Sequence, residues 1–189
     1  TFMKKIWILG TVAMLAACNS GKNDEAKIES MKSETDSTST KMDNISYPYT
    51  AQYSSKFEIG DPKNAQTILN LWKDWDNGNL SNSRNSFADS VELHFLDGSM
   101  MKGAKDSVIA TAQKFRNSFK TVISRVDAVT PLKSTDKNEH WVCVWGMETD
   151  TDFKGKVDSF YLQETWRINK DGKTDLLYQF SAKANPPKK

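Results

Sequence analysis

From Phe57 onward the apolar positions of the chain change their period. Ile68, Leu71, Trp72 and Trp75 recur at three- and four-residue intervals, which lines one face of an α-helix. Asp61-Pro62 supplies an N-cap and a proline for the first helical position, and Asn77-Gly78 supplies the stop. A second short helix is predicted from Leu80 to Phe87. A third follows Gly103, with Val108, Ala112, Phe115 and Phe119 as its apolar face. Between them Val91 to Leu96 alternates as a strand, and Asp97-Gly98 turns it. Val91, Leu93 and Phe95 then share one face, while Glu92 and His94 share the other, toward solvent or a dimer partner.

Beyond the third helix the period becomes two. Thr121–Val129, Trp141–Met147, Ser159–Ile168 and Leu176–Ala182 are β-branched and aromatic runs. A loop around Lys133 to Asn138, the polar stretch Asp150 to Lys156 and Asn169-Lys170-Asp171-Gly172 join them. Helices followed by a strand meander predict an α+β domain, with the N-terminal helices on one face of a curved antiparallel sheet.

The first residues follow another pattern. Lys4 and Lys5 precede the apolar run Ile6–Leu15, which is shorter than the roughly 20 residues a membrane span needs. It reads as an export signal over residues 1–17, with Met3 as the start. Leu15-Ala16-Ala17-Cys18 resembles the lipobox of bacterial lipoproteins, in which the cysteine is lipidated and becomes the first mature residue. The resemblance implies a membrane partner through acylated Cys18 and a place on the bacterial cell envelope. Asn19 after the cysteine points to the outer membrane, and Asp24-Glu25 resembles the surface-export signal of some Bacteroidota lipoproteins.

Residues 18–56 are then expected to be the lipidated cysteine and a disordered tether, 57–184 the domain, and 185–189 a tail. The tether is rich in Ser, Thr, Lys, Asp and Glu and cannot bury enough apolar surface to offset its ordering entropy. Tyr47, Tyr49 and Tyr53 are the aromatic exceptions, suited to packing on the domain edge.

Composition narrows the chemistry. Of 26 basic side chains, Lys4 and Lys5 leave with the signal, so the remainder balances the 24 acids. Such a chain exerts no long-range pull on nucleic acid, which is not an expected partner. Two cysteines are present, and lipidation of Cys18 leaves Cys143 without a disulfide partner, as a small hydrophobe in an apolar strand. His94 and His140 lack the close spacing of a zinc site. Asp150 to Gly155 begins like a calcium loop, but Lys154 and Tyr161 stand where ligands are needed, so it reads as a solvated hairpin. No metal and no cofactor is implied.

Three stretches carry a resemblance: Trp75-Asp76-Asn77-Gly78-Asn79-Leu80, Phe87-Ala88-Asp89-Ser90-Val91, and Glu164 to Lys173 (ETWRINKDGK). In order and spacing they resemble the nuclear transport factor 2-like superfamily and its SnoaL-like branch. The resemblance implies a cone, a bent sheet wrapping helices with a pocket at the open end, and in many members a homodimer through the outer sheet face. It also excludes one activity. The ketosteroid isomerase branch places its tyrosine and its base where this chain has Leu71 and Phe95, and only the late-strand acid position keeps a carboxyl, Glu164.

The expected pocket is therefore Glu164 with Trp75, Phe95, Trp145, Trp166 and Gln179. Glu164 shares a strand face with Phe160, Leu162, Trp166 and Ile168, a setting that raises a carboxyl pKa by desolvation. Three readings follow. The first is a non-catalytic envelope lipoprotein holding a small apolar or aromatic ligand, or a partner, in the cone mouth. The second is a SnoaL-like isomerase, cyclase or dehydratase with Glu164 as acid/base, helped by Gln179 or Tyr178. The third is a dimeric interaction module with a filled cone and an apolar outer sheet.

Overall fold

The computed structural model describes residues 46–184 apart from residue 96. The signal segment, Cys18, most of the tether and the tail lie outside the described residues.

Helix α1 (Pro62–Asn77) forms as its sequence predicts. The Asp61 carboxylate accepts the Lys63 backbone N–H at 2.9 Å, and Gly78 takes a left-handed φ of 69° to close the last turn. Ala65, Ile68, Leu71 and Trp72 are its buried face. A 3-10 turn (Leu80–Ser86) leads into β1 (Phe87–His94), which pairs with β2 (Met100–Ala104) before α2 (Lys105–Arg116). Three long strands and a shorter one follow: β3 (Phe119–Ser134), β4 (His140–Asp152), β5 (Val157–Ile168) and β6 (Thr174–Lys183). A three-residue edge strand, Phe57–Ile59, which we call βN, precedes α1 and pairs with Leu132–Ser134 of β3.

All strands form one seven-stranded sheet in the order βN-β3-β4-β5-β6-β1-β2. The α+β architecture is as expected, with one difference. β1 runs parallel to β6, so the sheet is mixed rather than wholly antiparallel. The parallel junction brings the first strand of the helical half beside the last strand of the meander. The core is Ile68, Leu71, Trp72, Val91, Leu93, Val108, Val142, Val144, Leu162, Trp166, Ile168 and Leu177 with their neighbours.

The face of α2 departs from its prediction. Val108, Ile109 and Arg116 are buried, whereas Phe115 is 61% exposed. Arg116 displaces Phe115 because it satisfies three backbone carbonyls at once. It donates to Trp75 O at 2.6 Å, Asp76 O at 2.7 Å and Phe119 O at 3.1 Å. The first two belong to the last turn of α1, which has no basic residue of its own. A cation there satisfies orphan carbonyls and opposes the negative end of the helix dipole.

Gly146 fixes how closely α1 approaches the sheet. A Cβ at this position would lie 2.5 Å from the Arg125 carbonyl oxygen and 2.9 Å from the Trp72 ring. The Arg125 carbonyl is backbone, beside the bulge at Asp127 in β3, and cannot swing aside. Gly146→Ala is expected to destabilise the domain by on the order of 2 kcal/mol through this overpacking. A urea melt should show a lower midpoint with an unchanged slope; an unchanged midpoint would mean that the contact relaxes freely.

The last residues of the segment read as tether are held on the domain. The Tyr53 ring lies 5.1 Å from that of Trp141, and the Lys56 carbonyl accepts the Thr135 N–H at 2.9 Å. Tyr47 and Tyr49 remain exposed.

Candidate functional site

Period-two alternation along β4 and β5 decides what faces α1. On β5, Phe160, Leu162, Glu164 and Trp166 point inward; on β4, Val142, Val144, Gly146, Glu148 and Asp150 do. Two groups of carboxyls result.

Glu164 is 4% exposed and surrounded by donors. Its Oε2 accepts the Trp72 indole N–H at 2.5 Å and the Trp166 indole N–H at 2.7 Å. Its Oε1 accepts the Gln179 amide at 2.8 Å. No cation lies among these partners. Burial raises the Glu164 pKa, against the opposing pull of the Gln179, Trp166 and Trp72 N–H groups.

The second group sits one turn further along α1. The Trp75 indole N–H donates to Glu148 Oε2 at 2.7 Å. Asp76 is fixed by the Ser124 hydroxyl at 2.7 Å and the Ser124 backbone N–H at 3.2 Å. Asp150 is 6% exposed, and its Oδ1 has no hydrogen-bond partner among the described residues. Desolvation, then the neighbouring Asp150 charge, pushes Glu148 up to about 8. Desolvation also raises Asp150, to about 6, with Arg116 opposing and Asp158 adding to the rise. Of the two, Glu148, raised further, keeps its proton near neutral pH.

The structure thus joins Glu164, Trp166 and Gln179 directly, and places Trp75 beside the second carboxyl group. Phe95 packs partly buried against the core. Trp145 is a correction. It alternates with Val144 and Gly146, so it stands on the outer face of β4, 39% exposed, and lines no interior pocket. Tyr178 is likewise on the outer face, its hydroxyl 2.6 Å from that of Tyr53. The calcium-like stretch is corrected too: Asp150 is a buried strand residue, and the hairpin begins only at Asp152. Sequence reasoning missed Glu148, Asp150 and Arg116. The first two were readable from Val142 and Val144, whose alternation extends inward to both.

Neither of two surface clefts among the described residues contains Glu164. One lies on the outer sheet face; the other borders Pro62, Ala65 and Leu69 of α1. Trp72, Trp166 and Gln179 surround the carboxyl and hold both of its oxygens.

Solved structures share this arrangement of helices and sheet. AusH from Aspergillus nidulans superposes with a TM-score of 0.53 at 16% identity, over 68% of this chain and 89% of its own. A SnoaL-like protein from Jannaschia gives 0.52 at 14% identity, over 66% and 90%. The fold is nuclear transport factor 2-like. An LEH-like epoxide hydrolase from M. tuberculosis shares it at 8% identity, with a TM-score of 0.52 over 64% of this chain and 83% of that one. No protein-family model and no curated protein sequence matches the chain. At these identities the likeness concerns the nuclear transport factor 2-like fold alone, since one fold hosts many chemistries.

Proposed function

We propose that the chain is a non-catalytic binding module, tethered to the bacterial cell envelope through acylated Cys18, that engages its ligand or partner on its outer surface. The observation that carries this reading is the enclosure of Glu164. A general acid or base must reach a substrate proton, and this carboxyl is already occupied by three N–H donors. Leu71, buried at 7% exposure in the core, and Phe95 add no polar group for proton transfer. Against the three sequence readings, a Glu164 carboxyl enclosed by its own donors favours recognition from outside over an interior ligand or an interior reaction. The lipobox, with the tether behind it, supports a domain held off the outer membrane.

NMR titration of the full chain in detergent with indole, a small flat apolar probe, tests the sealed interior. The indole N–H resonances of Trp72 and Trp166 are expected to stay fixed. Saturable shifts of both would show an interior that admits ligand and would restore the pocket readings.

A further inference from the structure

Glu92 lines a cleft on the outside of the cone, and His94 backs two of the cleft's residues, Glu92 and Tyr178. The cleft has a volume of about 430 Å³ and lies where β5, β6, β1 and β2 run side by side. Its walls are the Tyr53 and Tyr178 rings, the Glu92–Lys102 pair and the Arg167–Asp175 pair, with Leu176 below. Its size falls within the range of small-molecule sites.

The surrounding groups are held in place. Tyr53 reaches across 125 residues of sequence to meet the Tyr178 hydroxyl at 2.6 Å. The His94 ring stacks on Tyr178 with centroids 5.0 Å apart, and its Nε2 lies 2.6 Å from Glu92 Oε1. Lys102 Nζ takes the other Glu92 oxygen at 2.5 Å. Arg167 holds Asp175 through two parallel bonds, at 2.9 and 3.2 Å, and its guanidinium lies 6.0 Å from the Trp141 ring.

The chemistry of this lining selects among ligands. The two acids and two bases balance, so neither an anion nor a cation gains from the cleft as a whole. The polar walls give an apolar ligand little surface to bury. A ligand that is neutral and hydroxyl-rich fits on both counts. Each hydroxyl both donates and accepts, so it can donate to Glu92 or Asp175 while accepting from Lys102 or Arg167. The tyrosine rings offer flat apolar surface to the C–H face of a sugar ring.

We propose that this outer cleft is a binding site for a neutral saccharide. The proposal rests on the surface-binding reading above and names its ligand class. Its test is an array of immobilised glycans probed with the labelled full chain in detergent, followed by calorimetry on the strongest hit. Asp175→Asn and Tyr53→Ala are each expected to weaken that hit at least tenfold. Trp145→Ala, on the same sheet face but outside the cleft lining, should leave it unchanged. Tyr53 lies on the segment before the first strand, so its truncation tests the site even where Asp175→Asn unfolds the sheet. An array without neutral-glycan binding, or binding that survives both cleft substitutions, overturns the saccharide. Capture of charged glycans alone does so as well. None of these results moves the Trp72 and Trp166 resonances, so failure here is distinguishable from an interior that admits ligand.

Discussion

Raising the pH from 5 to 9 is expected to destabilise the domain by on the order of 3 kcal/mol, lowering Tm by roughly 10 °C. The cause is Glu148, whose folded-state pKa of about 8 stands above its ordinary 4.5. A carboxyl raised in this way keeps a proton that the unfolded chain has already released. Its contribution is fully present below the unfolded value and is lost as pH climbs through the folded one. Asp150, moved from 3.8 to about 6, acts in the same direction in the lower part of the window, and burial shifts Glu164 the same way. The groups facing Glu148 offer little relief. Asp76 from α1, Asp150 on the same strand, and Glu164 from the neighbouring β5 are all acids. Arg116, the nearby base, already donates to three carbonyls. Surface acids such as Asp89, Glu92 and Asp106 have lowered pKa values, so they are ionised throughout this window and contribute no slope. Glu148→Gln should flatten most of the profile, because an amide keeps an acceptor for Trp75 without a charge to desolvate. Thermal melts of both proteins across the range check this. A wild-type Tm that stays level or rises from pH 5 to 9 would falsify the assignment of a retained proton to Glu148.

The elements that sequence made legible are those whose side chains alternate between two solvents. α1 and its caps, and the inward set Val91 and Leu93 on β1 with Phe95 just past its end, follow from local periodicity and need no distant partner. What was hidden depended on pairing. The strand predicted over Thr121–Val129 continues as β3 to Ser134, through Pro131, which lacks an N–H. The Pro131 carbonyl accepts the Gly60 N–H at 2.9 Å, so its nitrogen also faces the βN edge and no bond to β4 is lost. βN and β2 are short edge strands without a clear apolar stripe, and the parallel β1–β6 junction joins residues too far apart for any local pattern to specify.

The site divides in the same way. Glu164 with Trp166 and Gln179 was legible because residues on one strand and its neighbour share a face. Trp145 belongs to the outer face because its parity is opposite to that of the buried Val144. Arg116 was missed because a base on an amphipathic helix usually points to water. Only the end of α1, sixteen residues of helix without a basic last turn, explains why it is buried here.

Glu164→Leu is expected to cost about 4 kcal/mol, whereas Glu164→Gln stays within about 1 kcal/mol of the wild type. Leucine fills much of the same volume but accepts nothing. It strands the Trp72 and Trp166 indole N–H groups and the Gln179 amide in the core, where each unsatisfied donor costs about 1–3 kcal/mol. Removal of a buried charge returns part of that loss, which keeps the net below the sum. Glutamine presents the opposite case. Its single oxygen has two lone pairs, enough to accept both indoles, and its amide group can donate to the Gln179 oxygen once that side chain is turned over. The network remains satisfied while the desolvated carboxylate disappears. Because burial raises the Glu164 pKa, the advantage of glutamine should grow with pH, and at pH 9 the variant is expected to match or exceed the wild type. Urea denaturation of the three proteins at pH 6 and pH 9 separates the outcomes. A leucine variant as stable as the wild type would mean that the three donors find water instead, and hence that the cone is open. A glutamine variant as damaged as leucine would mean that the core needs the carboxylate charge itself, against the desolvation that surrounds it.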